Sequence, residues 1–136
     1  MLWWPIIENL ESYLKSLPEL AGINIHAGAE NPISLYPCIE ILWDRENQSI
    51  SQPRKSKTCI WIDCWVNNSD PDPAVAYREL YSLQSIIYDK LPGWQPVVGN
   101  ALQKTLIVDY RENVSDGDSK RPVCGARMIV KIEWRK

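Results

Sequence analysis

Between Thr58 and Leu91 the chain reads TCIWIDCWVN, then NSDPDP, then AVAYRELYSLQSIIYDKL. A chain that holds this stretch must build a strand, a sharp corner and a helix. Thr58 to Asn67 is rich in β-branched and aromatic residues. Side chains alternate across a strand, so Thr58, Ile60, Ile62, Cys64 and Val66 share one face. Cys59, Trp61, Asp63, Trp65 and Asn67 share the other. The first is an aliphatic core face. The second carries two tryptophans flanking a carboxylate, and a face that only met water would be more polar. Two readings are open. Loops or the N-terminal segment cover the indoles, or Trp61, Asp63 and Trp65 form a protein interface, where Trp is enriched.

The helix has clear ends. Asp72 stands at an N-cap position and Pro73 at N1, where a missing N–H costs nothing. Ala76, Leu80, Leu83, Ile87 and Leu91 make one apolar stripe. Tyr77, Tyr81 and Tyr88 flank it and are expected to pack at the core edge with wet hydroxyls. Pro92-Gly93 ends the helix.

The rest of the chain arranges itself around this unit. Pro5–Ser16 reads as a first helix, with Ile6, Leu10, Tyr13, Leu14 and Leu17 on one side. Leu17-Pro18 stops it. Gly22–His26 is a short edge-strand candidate, and Ala27–Leu35 a loop with turn signals at Gly28 and Asn31-Pro32. Tyr36–Asn47 forms a strand with Ile39, Ile41 and Trp43 alternating against Cys38, Glu40, Leu42 and Asp44. Gln48–Lys57 reads as a long hairpin tip with Arg54, Lys55 and Lys57 as its basic run. After a connector, Asn100–Asn113 is a strand, with Leu102, Leu106, Val108 and Tyr110 on one face. Ser115–Ser119 is a second tip with an Asp-Gly turn, made acidic by Asp116 and Asp118. Arg121–Trp134 is the last strand. The fold expected is α+β: one mixed, mainly antiparallel sheet of four to five strands, two helices on one face, in the order α-β-β-β-α-β-β.

Chain direction places the tips. The helix after the central strand returns the chain to the start of that strand, so the next strand runs parallel to the central one. The basic and acidic tips then lie at opposite ends of the sheet.

At 136 residues the chain fits one domain, residues 1–136. A net charge of −2 argues against a nucleic-acid binder. The apolar start, MLWWPII, lacks a basic n-region and meets Glu8 early, and no run reaches membrane-spanning length. A chain that is cytoplasmic, or assembled from the cytoplasm, is therefore expected.

Chemistry is sparse. The four cysteines, Cys38, Cys59, Cys64 and Cys124, all fall in expected strands, and their spacing matches no zinc knuckle. They read as small hydrophobes, so no metal and no cofactor is expected. His26 is the single histidine, and no neighbouring residue supports it as part of a triad. No phosphate-binding loop or nucleophile elbow occurs. The pairs Asp70/Asp72 and Asp116/Asp118 sit in capping or turn positions. No catalytic residue is expected.

The element order resembles that of the tail-terminator (tail-completion, minor tail) proteins of long-tailed phages and prophages. LPELAG at Leu17–Gly22, YPCIEI at Tyr36–Ile41, IDCWV at Ile62–Val66 and AYRELYSL at Ala76–Leu83 are similar to segments of that family. The likeness covers nearly the whole chain and carries no catalytic motif. It implies a structural protein in the virion tail, assembled in the host cytoplasm. It implies a homo-oligomeric ring, commonly a hexamer, that caps the tail tube protein and meets the head–tail connector protein. The residues that would serve as interface are Trp61, Asp63 and Trp65 on the sheet, and Arg54, Lys55, Lys57, Asp116 and Asp118 at the tips. No membrane or nucleic acid enters this picture. The competing class is a small adaptor or ligand-binding domain, using the edge strand Ile23–His26 or a pocket between sheet and helices.

Overall fold

The computed structural model describes residues 3–48, 51, 55–94, 107–115 and 122–135. Among the described residues two α-helices, α1 (Trp3–Ser16) and α2 (Pro73–Lys90), accompany five strands. These are β1 (Asn24–Ala27), β2 (Cys38–Gln48), β3 (Lys55–Asn67), β4 (Ile107–Ser115) and β5 (Val123–Arg135). They form one sheet in the order β1-β2-β3-β5-β4. β1 and β2 are parallel, and every other pair is antiparallel. The α+β class, the single mixed sheet and the element order agree with expectation.

The strand at Thr58–Asn67 is central because it is the most heavily armed with apolar residues on both faces. The aliphatic face of the sheet meets both helices: α1 lies over β1 and β2, α2 over β3 and β5. Ile6, Leu10, Leu14, Ile39, Ile41, Ile60, Ile62, Ile87, Met128 and Val130 are fully buried between the layers. Each such side chain contributes about 1.5–3 kcal/mol relative to exposure. The helices are also tied to each other. The Tyr13 hydroxyl donates to the Lys90 carbonyl, and Trp94 Nε1 donates to Asn9 Oδ1 at 2.8 Å.

α2 begins as its sequence demands. Asp72 is extended, and its Oδ1 accepts from Ala74 N at 3.0 Å, with Pro73 next. Asp72→Ala should lower stability by about 1 kcal/mol in equilibrium urea unfolding. An unchanged midpoint would show that the cap contributes nothing. Ala76, Leu80, Leu83, Ile87 and Leu91 are all buried.

The tyrosines depart from expectation. Tyr77, Tyr81 and Tyr88 are 68%, 73% and 45% exposed instead of lining the core edge. Each follows a buried residue by one position, Ala76, Leu80 and Ile87. One step rotates about 100° around a helix, which carries all three to the same line outside the packed face.

Two boundaries also change. The first tip is shorter than Gln48–Lys57, because β2 extends to Gln48 and β3 begins at Lys55. β5 is long enough to pair out to Lys55↔Arg135, which draws Lys55 and Lys57 into the strand. Arg54 lies outside the described residues. In β4 the side chains of Val108 and Tyr110, expected on one face, lie outside what is described, while the backbone register shifts between the two residues. Val108 pairs with Ile132 and Tyr110 with Lys131, so one residue is inserted between them and their partners lie on opposite faces. Residues 100–106 of that expected strand lie outside the described residues.

The directions of the strands follow the expected scheme. β3 and β4 both run antiparallel to β5, which lies between them, so they are parallel to one another without touching. The β2–β3 connection leaves the sheet near Arg135, and the β4–β5 connection leaves near Asn67. These are opposite ends. Asp116 and Asp118 themselves lie outside the described residues.

Candidate functional site on the second face of the sheet

The face turned away from the helices carries a row of charge. By register, His26 on β1 sits beside Glu40 on β2, Glu40 beside Asp63 on β3, and Asp63 beside Arg127 on β5. Glu40 and Asp63 are both only 4% exposed. Two carboxylates directly opposite on neighbouring strands repel, so each needs its own counter-group.

Asp63 has Arg127. Nε donates to Oδ1 at 2.8 Å and Nη2 to Oδ2 at 3.0 Å, a two-point fork. The same guanidinium lies 3.8 Å from the Trp61 ring centroid, a cation–π contact. Trp61, Asp63 and Arg127 are therefore one unit, in which the carboxylate holds the cation over the indole.

Glu40 has neutral donors. Trp65 Nε1 donates to Oε1 at 3.0 Å, and Glu30 N donates to Oε2 at 2.6 Å. Trp65 lies over Gly125, its register partner. A Cβ at Gly125 would stand 2.5 Å from Trp65 Cε3. The glycine in the middle of β5 is thus the opening that the indole fills.

At the β1–β2 corner the loop 28–37 folds onto this face. Glu30 N reaches Glu40, Ser34 N and Oγ donate to Glu30 Oε1, and Asn24 Nδ2 donates to Leu35 O. Beneath it, His26 Nε2 is 3.5 Å from Cys38 Sγ and 3.8 Å from both Glu40 Oε2 and Glu30 Oε1. Cys38 is fully buried. Burial, then the nearby Glu40 and Glu30, pushes its thiol up to about 12. Burial likewise raises Cys59, Cys64 and Cys124.

A Cys–His pair beside a carboxylate invites comparison with thiol hydrolases. The geometry differs. A triad places the acid on the ring nitrogen that does not face the nucleophile, whereas here sulfur and both carboxylates converge on the same Nε2. A nucleophilic cysteine also needs a lowered thiol, and this one is raised.

The structure joins Trp61, Asp63 and Trp65 on one face, with both indoles half-buried. Asp63 serves the sheet internally. Lys57 is exposed far along β3, near the end where Lys55 and the first tip lie. Sequence reasoning missed Glu40, Arg127, Gly125 and the His26–Cys38 contact. Each depends on which strands are neighbours, and no single-strand pattern shows that. Of the competing sites, the edge strand β1 has its Ala27 N–H engaged by Glu11 Oε2 at 2.6 Å. The space between helices and sheet is filled by aliphatic side chains among the described residues.

No family model matches the chain, and no curated protein matches it. Among solved structures 26 chains match. One of them, which carries no functional name, is 9% identical, with a TM-score of 0.57 over 98% of this chain and 93% of its own length. That likeness shows a shared fold. No helix among the described residues is long and apolar enough to cross a membrane.

Proposed function

We propose that this chain is a structural tail protein of a phage or prophage, acting as tail terminators do. It works by contact, as a ring of identical subunits that caps the tail tube and meets the head connector. The observation that carries this reading is the presence of two unlike aromatic surfaces on opposite sides of one domain. On the helix side Tyr77 and Tyr81 stand more than two-thirds exposed. On the sheet side Trp61 lies half-exposed with Leu42 and Ile129 as its register neighbours. A subunit with two different sticky faces associates head to tail, and such contacts close into rings when the rotation permits. Tyr and Trp are the side chains that most often anchor interfaces.

The ends of the sheet give such a ring two distinct rims. Lys57 stands exposed at one end, where the chain connects to the segment that carries Arg54 in the sequence, and β4 and β5 connect at the other end through the segment that carries Asp116 and Asp118. Opposite charge on the two rims would steer the tube and the connector to different sides.

Negative-stain microscopy and light scattering of concentrated protein test the reading. Closed rings of one size are expected. Tyr81→Asp should abolish them while shifting folding stability by no more than about 0.5 kcal/mol, as for other exposed positions. A protein that stays monomeric at high concentration, or rings indifferent to both Tyr81→Asp and Trp61→Ala, would refute it.

A further inference from the structure

We propose that His26, Cys38 and Glu40 bind a divalent transition-metal ion of the zinc type, with Glu30 or water as the fourth ligand. This site is independent of the proposed ring.

The first ground is convergence. The three ligand atoms lie within 4.8 Å of one another. In a tetrahedral zinc site, Zn–S near 2.3 Å and Zn–N near 2.05 Å set sulfur and nitrogen about 3.6 Å apart. Nitrogen and carboxylate oxygen stand about 3.3–3.5 Å apart on the same construction. The cluster shows 3.5 Å for Cys38 Sγ to His26 Nε2, and 3.8 Å from Nε2 to Glu40 Oε2. Small side-chain shifts bring all three onto one ion.

The second ground is what hydrogen bonding leaves out: the 3.5 Å contact of Cys38 Sγ with His26 Nε2 fits a weak sulfur hydrogen bond, but it does not explain why two carboxylates also gather at that nitrogen. At 3.8 Å neither carboxylate is hydrogen-bonded to the imidazole. One ring nitrogen carries at most one proton, yet a sulfur and two carboxylate oxygens gather around it. A cation among them satisfies all at once. Thiolate and Glu40 carboxylate together balance a dication. Binding would release the Cys38 proton to solvent, since the ion takes the place of that proton.

The third ground is the support around the ligands. Trp65 Nε1 and Glu30 N hold the two oxygens of Glu40, the kind of outer contact that orients metal ligands. The ligands come from β1, β2 and the loop between them. A metal there would staple the four-residue edge strand to the sheet. N, S and O donors together suit zinc or cobalt in preference to calcium or magnesium.

The test is titration of the full chain, purified without chelator, with Co²⁺ and then Zn²⁺. One Co²⁺ per chain is expected, with a thiolate-to-cobalt charge-transfer band in the near ultraviolet and intense tetrahedral visible bands, both displaced by Zn²⁺. Cys38→Ser should remove the charge-transfer band although three other cysteines remain. His26→Gln, at a partly exposed position, should keep the fold and weaken Co²⁺ by roughly tenfold or more. If Cys38→Ser fails to fold, His26→Gln and the unaltered chain still decide. A wild-type protein without the charge-transfer band overturns the site. So does a band that survives Cys38→Ser, or an affinity unmoved by His26→Gln.

Discussion

Arg127→Met should destabilise the fold by about 3 kcal/mol, although no aliphatic core contact is lost. The substitution leaves the Asp63 carboxylate 4% exposed with its two-point partner gone. It also leaves Asp63 beside Glu40 without the forked guanidinium that balances it. The expected loss is at the low end for a buried pair because the Arg127 side chain is itself 38% exposed. The partner substitution separates the causes. In Arg127→Met with Asp63→Leu, the carboxylate that lost its partner is gone and Glu40 keeps its two neutral donors, so most of the stability should return. Urea unfolding of the two single variants and the double variant measures this. A double variant as unstable as Arg127→Met alone would show that the loss came from elsewhere, such as the stack on Trp61.

Trp65→Ala should cost about 3 kcal/mol, in the range for truncating a packed aromatic. Two effects add. The indole vacates the space over Gly125, and Glu40 Oε1 loses its donor in a nearly dry position. Trp65→Phe keeps a ring over Gly125 and removes the donor alone, so it should cost about 1–3 kcal/mol. Trp61→Ala should cost less than Trp65→Ala, because Trp61 donates no hydrogen bond to a buried acid in this network. Its larger effect is expected on assembly. Chemical unfolding of monomer beside particle counts by microscopy distinguishes the two indoles. Equal folding losses for both would remove the division between a structural Trp65 and an interface Trp61.

These two experiments concern a face whose composition was visible in the sequence and whose wiring was not. The alternation of IWIDCWV marked a second face with two indoles around a carboxylate. It could not show that Asp63 faces Arg127, because those residues are 64 positions apart and meet only through the β3–β5 register. Likewise His26 looked isolated, since a parallel pairing of β1 with β2 is invisible in either segment alone. Cys38 and Glu40 are two apart and so share a face. That was legible. That His26 faces them was not. The tyrosines of α2 were misjudged for a different reason. A stripe drawn on a helix gives its direction but not its width, and the neighbouring layer sets how far burial extends around it.

The sequence by itself determined the element order, the core faces and the α2 cap, because period, capping and turn chemistry act over a few residues. It also determined the opposite ends of the two hairpins, since strand direction follows from connectivity alone. Strand neighbours, register and bulges were decided only in the tertiary structure. They depend on free-energy differences among alternative pairings of whole strands, and those differences arise from side chains brought together from distant parts of the chain. The charge row, the Trp65–Gly125 fit and the His26–Cys38–Glu40 cluster all belong to that second class.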